Sequence, residues 1–175
     1  WLLPGDKNFP AAFMSLTDPP HCIRMKGSAI WIQGQGLAVV GSREPSNFSL
    51  AWLEQNLPNV LTGLNLFTVS GGARGVDQRA HAISLRLGLP TLVLLPSGLR
   101  NIYPQSLAYM EEMILDRGGA ILSEYFSEAM MKKHYFQQRN RLIPALARGT
   151  LIVDAKRRSG TMITALQSAE QSCPL

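Results

Sequence analysis

Three short segments combine glycine, a hydroxyl and arginine in a way suited to holding an anion: Gly41-Ser42-Arg43, Ser70-Gly71-Gly72-Ala73-Arg74-Gly75 and Arg157-Arg158-Ser159-Gly160-Thr161. Glycine admits positive φ and lets backbone amides come close to a ligand. Amides that open a helix lack partners and carry a partial positive charge. Arginine supplies two parallel donors to a phosphate, so Arg43, Arg74 and Arg158 are candidate phosphate contacts. Each segment also has a plainer reading. Gly-Ser-Arg is a common turn, Ser159 and Thr161 are good helix caps, and Asp77 after the second segment reads as a cap rather than a ligand contact. The three become informative only if one fold brings them to the same edge.

A fourth segment, Lys132-Lys133-His134-Tyr135-Phe136-Gln137-Gln138-Arg139-Asn140-Arg141, interleaves cations, aromatic rings and amides. On a helix, Lys133, Phe136 and Asn140 share a face at i, i+3 and i+7. That face presents charge for a phosphate, a ring on which a base can stack, and an amide that can read or bridge. Phe136 equally suits a core position with the charges solvated around it, and Tyr135 reads as packing. The net charge is +5, and eight of the 17 Lys/Arg fall between residues 132 and 158 beside a single acid, Asp154. So local an excess suits a polyanion, nucleic acid above all, against the alternative of a solvated basic face.

Positioning these residues requires strands and helices in alternation. Apolar runs rich in β-formers recur at 37–40, 66–69, 91–95, 120–122 and 150–153, and helical periodicity fills 47–62, 76–88, 104–117, 134–148 and 161–171. Strands without polar alternation, separated by helices, predict an α/β fold. Its architecture is a doubly wound, mostly parallel, Rossmann-like sheet with helices on both faces. The glycine-bearing loops then follow strands at their carboxyl ends, where open α/β sheets bind ligands. Pro58 and Pro144 are expected to break or kink their helices. Residues 1–36, punctuated by Asp18-Pro19-Pro20 and Gly34-Gln35-Gly36, read as an N-terminal extension packed on the same domain, with a helix near 9–16 and a strand near 21–25. Residues 37–175 form the Rossmann-like domain. The chain stops at Pro174-Leu175 directly after a helix, where such a fold normally adds a strand.

Composition narrows the rest. A chain of 175 residues has one domain's worth of core, and 46% hydrophobic against 17% charged residues argues against disorder. No apolar run approaches membrane-spanning length, and Trp1-Leu2-Leu3-Pro4 is no signal peptide, so a cytoplasmic location is expected. Cys22 and Cys173 stand alone, which disfavours a disulfide scaffold or zinc module. There is no GxxxxGK[ST], and the 70–75 loop is not GxGxxG. His21, His81 and His134 form no ligand set, and His81 reads as a structural histidine. No GxSxG surrounds Ser97 or Ser123, and no carboxylate pair is placed for acid–base work. No cofactor, no metal and no catalytic residue is expected.

Several of these segments, taken in order, resemble the bacterial DNA-processing protein A family (DprA/Smf). They are Gly41-Ser42-Arg43, Ser70 through Asp77 with Ala80-His81, Tyr103-Pro104, Ser123-Glu124-Tyr125, Phe136 through Arg141, and Ser159-Gly160-Thr161 with Ile163-Thr164-Ala165. The resemblance runs from about residue 9 to 171. Two departures stand out: Gly72 is commonly Leu in that family, and Gln137-Gln138 replaces a Pro-basic pair. The resemblance implies an extended Rossmann fold that binds single-stranded DNA, protects incoming strands in natural transformation, hands them to the RecA recombinase, and dimerises. The DNA-binding residues it implies are Arg43, the 70–75 loop with Gly71, Gly72, Arg74 and Gly75, and Lys133, Phe136, Arg139, Asn140 and Arg141; Gly41, Ser42, Ser159, Gly160 and Thr161 join them as candidate contacts from the chemistry of their own loops. A rival from another class is a nucleotide phosphoribohydrolase on a related scaffold, which would want a Glu soon after Thr161, whereas the first is Glu170. A pure protein-interaction scaffold is the third.

Overall fold

Side chains that must be apolar on both faces of a layer make short, unalternating strands. The computed structural model describes residues 1–33, 36–157 and 159–175. It has β1 (Arg24–Gly27), β2 (Gly36–Gly41), β3 (Phe67–Ser70), β4 (Thr91–Leu94), β5 (Ala120–Ser123) and β6 (Gly149–Val153) in one sheet, ordered β1-β5-β4-β3-β2-β6. Only β1 runs antiparallel, against β5; the other pairs are parallel. Ala38, Val40, Val69, Leu92, Leu94 and Leu122 face one side, Val39, Val93 and Ile121 the other, and all are buried. Each large apolar chain so covered contributes about 1.5–3 kcal/mol.

Helices α1 (Asn47–Gly63), α2 (Val76–Arg86), α3 (Gln105–Ala108), α4 (Glu111–Asp116), α5 (Lys133–Asn140), α6 (Leu142–Ala145) and α7 (Gly160–Glu170) complete the layers. Leu53, Leu57 and Leu61, four residues apart, dock α1 beside α2 over Val39 and Val153. The opposite face is covered differently. There Phe9, Phe13, Ile23 and Trp31 from the first 36 residues pack with Leu142 and Ile143 of α6, and β1 becomes the edge strand. The expected helix at 9–16 is a 3-10 turn, Ala11–Ser15.

Of the two breaks expected at prolines, the one at Pro58 is absent and the one at Pro144 is present, and a further helix divides. Pro58 lies inside α1, which runs from Asn47 to Gly63 without a break, held by buried leucines on both sides of the proline. The expected helix 134–148 divides into α5 and α6 because Pro144 has no N–H for the Asn140 carbonyl. The expected helix 104–117 divides into α3 and α4 at Tyr109-Met110. Among the described residues, no helix is long and apolar enough to cross a membrane.

One buried polar chain crosses the α2–sheet interface. The Thr91 hydroxyl donates to the Thr68 carbonyl at 3.0 Å, and His81 Nδ1 lies 2.7 Å from the same hydroxyl. With the Thr91 proton committed to a carbonyl, Nδ1 is the donor and Nε2 carries the lone pair, buried without a partner among the described residues. Burial, helped by the Arg139 charge, lowers the His81 pKa from 6.5 to about 3. Unfolded His81 therefore takes up a proton below about pH 6.5 that the native state refuses. Its contribution to stability is complete above that pH and is lost on acidification towards 3. Urea unfolding followed from pH 7 to 4 is expected to show a fall on the order of a few kcal/mol. His81→Asn, which keeps a donor for Thr91, should flatten that dependence; an unchanged slope would contradict the assignment.

Candidate nucleic-acid interface

The chain lays down β2, β3, β4 and β5 in one direction and then returns to place β6 on the far side of β2. The order thus reverses between β2 and β6, and the crevice outside their carboxyl ends is the position where such sheets take ligands. Three loops are tied together there. The Thr161 hydroxyl donates to the Gly41 carbonyl at 2.9 Å, joining the start of α7 to the end of β2. The Val76 amide donates to the Ser42 carbonyl at 3.1 Å, joining the start of α2 to the same loop. Asp154, at φ 54, accepts from the Ser46 amide at 2.7 Å and the Ser49 hydroxyl at 3.1 Å, joining the loop after β6 to the start of α1. The Ser46 amide holds the Asp154 carboxyl below its ordinary pKa.

Two glycines are required by this knot. A Cβ on Gly41 would overlap the Val153 carbonyl, and one on Gly75, at φ +81, would overlap the Ser42 carbonyl. Helix α5 forms the facing wall, held to α7 by Asn140 Nδ2 donating to the Gly160 carbonyl at 3.3 Å.

A cleft of about 870 Å³ lies between these elements. The β2 loop supplies Gly41, Ser42 and Arg43; α5 supplies Lys133, Phe136, Arg139 and Asn140; the start of α7 supplies Ser159, Gly160 and Thr161. Lys133 and Arg43 are exposed and Phe136 is half-buried, with the Arg43 guanidinium 4.9 Å from its ring centroid. Lys156 and Arg157 also line the cleft, and the concentrated charge of their stretch was the signal for them. Ile163, from the Ile163-Thr164-Ala165 segment, adds an apolar wall together with Met162 and Leu166, which nothing in the sequence marked. Arg158 lies outside the described residues. The cations face two carboxylates, Glu44 and Asp77.

Five expected residues are not brought to the cleft. Gly71 and Gly72 are buried, and Gly71 makes room for Arg139: a Cβ there would overlap its guanidinium. Buried Asp77 takes the amides of this loop for itself, accepting from Ala73 at 3.3 Å and from Gly71. Burial raises the Asp77 pKa, with Arg139 acting in the opposite sense. Gly72, at φ +69, lies against Leu107, whose side chain fills the space a larger residue would need. Arg74 is exposed and Gly75 half-buried, both outside the cleft lining. Arg141 turns away: Nη1 and Nη2 each meet a Glu124 oxygen at 2.7 Å, and Nε donates to the Asp18 carbonyl. The Thr161 hydroxyl, committed to Gly41, leaves its amide as the group it can present.

Arg139 is 3% exposed and donates to the Leu94 carbonyl at 2.9 Å. Burial lowers its pKa to about 10, opposed by Asp77, so it remains a cation at neutral pH. The arrangement has the chemistry to hold an anion beside a ring: a buried charge at the floor, exposed cations at the rim, and the first amides of α7 at one end. Among the described residues no cluster of His, Cys, Asp and Glu is grouped to hold a metal.

Comparison with known proteins decides the family. The sequence model for "DNA recombination-mediator protein A" matches residues 1–174. The chain belongs to that family. Protein Smf of Escherichia coli K12 is 33% identical over 171 residues, 97% of this chain and 46% of that protein. DNA processing protein DprA of Streptococcus pneumoniae R6 is 33% identical over 168 residues, 95% of this chain and 58% of that protein. The X-ray structure of S. pneumoniae DprA superposes with a TM-score of 0.89, covering 98% of this chain and 59% of that one. A structure describing the single-stranded DNA binding mode of DNA processing protein A from Helicobacter pylori gives 0.87 at 33% identity, covering 97% of this chain and 77% of that one. The chain spans about half the length of the curated relatives it matches. The Rossmann-like α/β fold expected from the strand–helix alternation is the fold of these neighbours.

Two glycine substitutions test the site's construction. Gly71→Ala pushes into the Arg139 guanidinium and is expected to cost about 1–3 kcal/mol in urea unfolding. Gly160→Ala, with nothing within 4 Å of the added carbon, should stay within about 1 kcal/mol of the parent.

Proposed function

We propose that this chain is the DNA-binding body of a recombination mediator. It holds single-stranded DNA in the cleft between the β2 loop, α5 and α7, protects incoming strands during natural transformation, and passes them to the RecA recombinase. It acts in the cytoplasm, as a homodimer, and without catalysing a reaction. The observation that carries the reading is the meeting of Arg43, Lys133, Phe136 and the α7 N-terminus in one cleft at the strand-order reversal. The family's description as a recombination mediator and the single-strand binding reported for the H. pylori relative support it.

The distribution of charge agrees. Ion pairs within 4 Å engage Lys26, Arg79, Arg86, Arg100 and Arg141, and none of these lines the cleft. Arg43, Lys133, Lys156 and Arg157 line it, and no acid lies within 4 Å of them among the described residues. Phosphates run past these cations and the amides of Gly160 and Thr161, while a base rests on Phe136. A paired base has both faces covered by its neighbours, so a ring set in a cleft favours an unpaired one. Arg139 acts as a fixed positive floor. Gly71, Gly72, Arg74, Gly75 and Arg141 are left out of this contact set. The phosphoribohydrolase reading is disfavoured because Glu170, at the far end of α7, lies outside the cleft.

Titration with fluorescent oligo-dT tests the reading. With four to six phosphates neutralised, log affinity should fall against log salt with a slope of about −3 to −4, and duplex of equal length should bind more weakly. Arg43→Ala and Lys133→Ala should each make the slope shallower by about 0.7, whatever the base. Arg141→Ala should instead lower stability and leave the slope unchanged. Equal slopes in all three variants, or release of free base from a nucleoside monophosphate, would sink the proposal.

A further inference from the structure

Against Phe136, and outside the cleft lining itself, lies a second ring, Tyr103, that belongs to none of the contacts proposed above. It is 39% exposed and follows the carboxyl end of β4, on the same edge of the sheet as the cleft. The segment leading to it is firmly held. Gly98 donates to the Ala129 carbonyl and Arg100 to the Ser127 carbonyl, each at 2.9 Å, and the Asn101 amide group donates to the Glu128 carbonyl at 2.7 Å. The Tyr103 ring meets Phe136 edge-on, with centroids 5.9 Å apart and planes at 81°.

Three features separate this ring from ordinary packing. Its hydroxyl has no hydrogen bond among the described residues, whereas the half-buried Tyr125 hydroxyl has two partners, the Tyr135 carbonyl and Gln138. No ring or cation is stacked on a face of Tyr103 among the described residues, whereas Phe136 already carries the Arg43 guanidinium over one face. Lastly, a large apolar ring on a rigid, solvent-facing mount is what a stacking platform requires.

We propose that Tyr103 is a second base-stacking platform, set at right angles to Phe136, over which the strand leaves the cleft. This rests on the single-strand reading above and refines it. Bases lying on rings whose planes differ by 81° cannot stack on each other. The two platforms therefore hold neighbouring bases apart and bend the backbone between them. A duplex, whose bases stay parallel, cannot satisfy both rings, so selection for a single strand resides in the angle between the rings as well as in their exposure.

The test uses the whole 175-residue chain, oligo-dT, and an oligonucleotide of the same length built from abasic spacers. Tyr103→Leu keeps bulk beside Phe136 and removes the ring. It is expected to weaken oligo-dT binding by about 5- to 100-fold, to leave the abasic strand unaffected, and to unfold thermally like the parent. Tyr103→Phe should stay within about twofold of the parent. In a Phe136→Ala background Tyr103→Leu should still weaken oligo-dT, because the second platform acts on its own base. Parent-like binding by Tyr103→Leu, an equal loss on the abasic strand, or disappearance of the effect in the Phe136→Ala background each overturns the inference. If Arg43→Ala weakens binding and Tyr103→Leu does not, the platform fails alone; if the parent chain does not retain oligo-dT, both fail.

Discussion

Burying a guanidinium costs several kcal/mol unless its surroundings are built for it, and the rim of this sheet is arranged around one. Arg139 comes down from α5 with 3% of its surface exposed and reaches the Leu94 carbonyl at the end of β4. Glycine at position 71 leaves room for it, since a side chain there would overlap the guanidinium and have to displace it. The nearest acid, Asp77, is itself buried and takes the loop amides, which fixes the turn between β3 and α2. His81, one helical turn further along α2, is kept neutral by burial and by the same charge. A loop that reads in sequence as an anion cradle is thus the housing of an internal cation. The positive field reaches the cleft from beneath, and the glycines stay covered.

The exposed side of the site follows a different logic. Its frame consists of four hydrogen bonds: Thr161 to Gly41, Val76 to Ser42, Ser46 to Asp154, Asn140 to Gly160. Each joins two segments far apart in sequence, so the relative placement of the β2 loop, α5 and α7 is set without the cationic side chains. Arg43, Lys133, Lys156 and Arg157 make no ion pair among the described residues, and Arg43 lies over the Phe136 ring. That division suits a ligand whose phosphates are regular and whose bases vary. For such a ligand a fixed frame would define the path, and long flexible cations would follow the backbone.

Much of this was legible in the sequence, for identifiable reasons. The strands were readable because a sheet covered on both faces leaves uninterrupted apolar runs such as Leu92 to Leu95. The cleft's Gly-Ser-Arg and Ser-Gly-Thr corners were readable because they sit where strand gives way to helix. What residue type does not report is where the fold directs each side chain. Arg139 and Arg141 are two residues apart and chemically identical, yet one is a buried floor and the other forms a paired contact with Glu124, a partner 17 residues away. Gly71 and Gly160 differ in the same way: one is crowded by Arg139, the other faces open space. Local spacing cannot report which side chain a distant segment will press against a glycine. Pro58 misled for a related reason, since tertiary packing by Leu57 and Leu61 outweighs one missing ladder bond.

The charge count makes the same point at the scale of the chain. A net +5 over 175 residues is modest, and it understates the field a ligand meets. Acids and bases elsewhere cancel in contact pairs, Glu54 alone binding both Arg79 and Arg86, and Glu111 holding Lys26. At the cleft, one of the two carboxylates, Asp77, is buried, and burial favours its neutral form, while the cations there have no close acid among the described residues. Cancellation by pairing is local, so the cleft keeps a positive excess that the net charge does not show. An exposed edge where cations are left unpaired is the place on such a surface best suited to draw a polyanion.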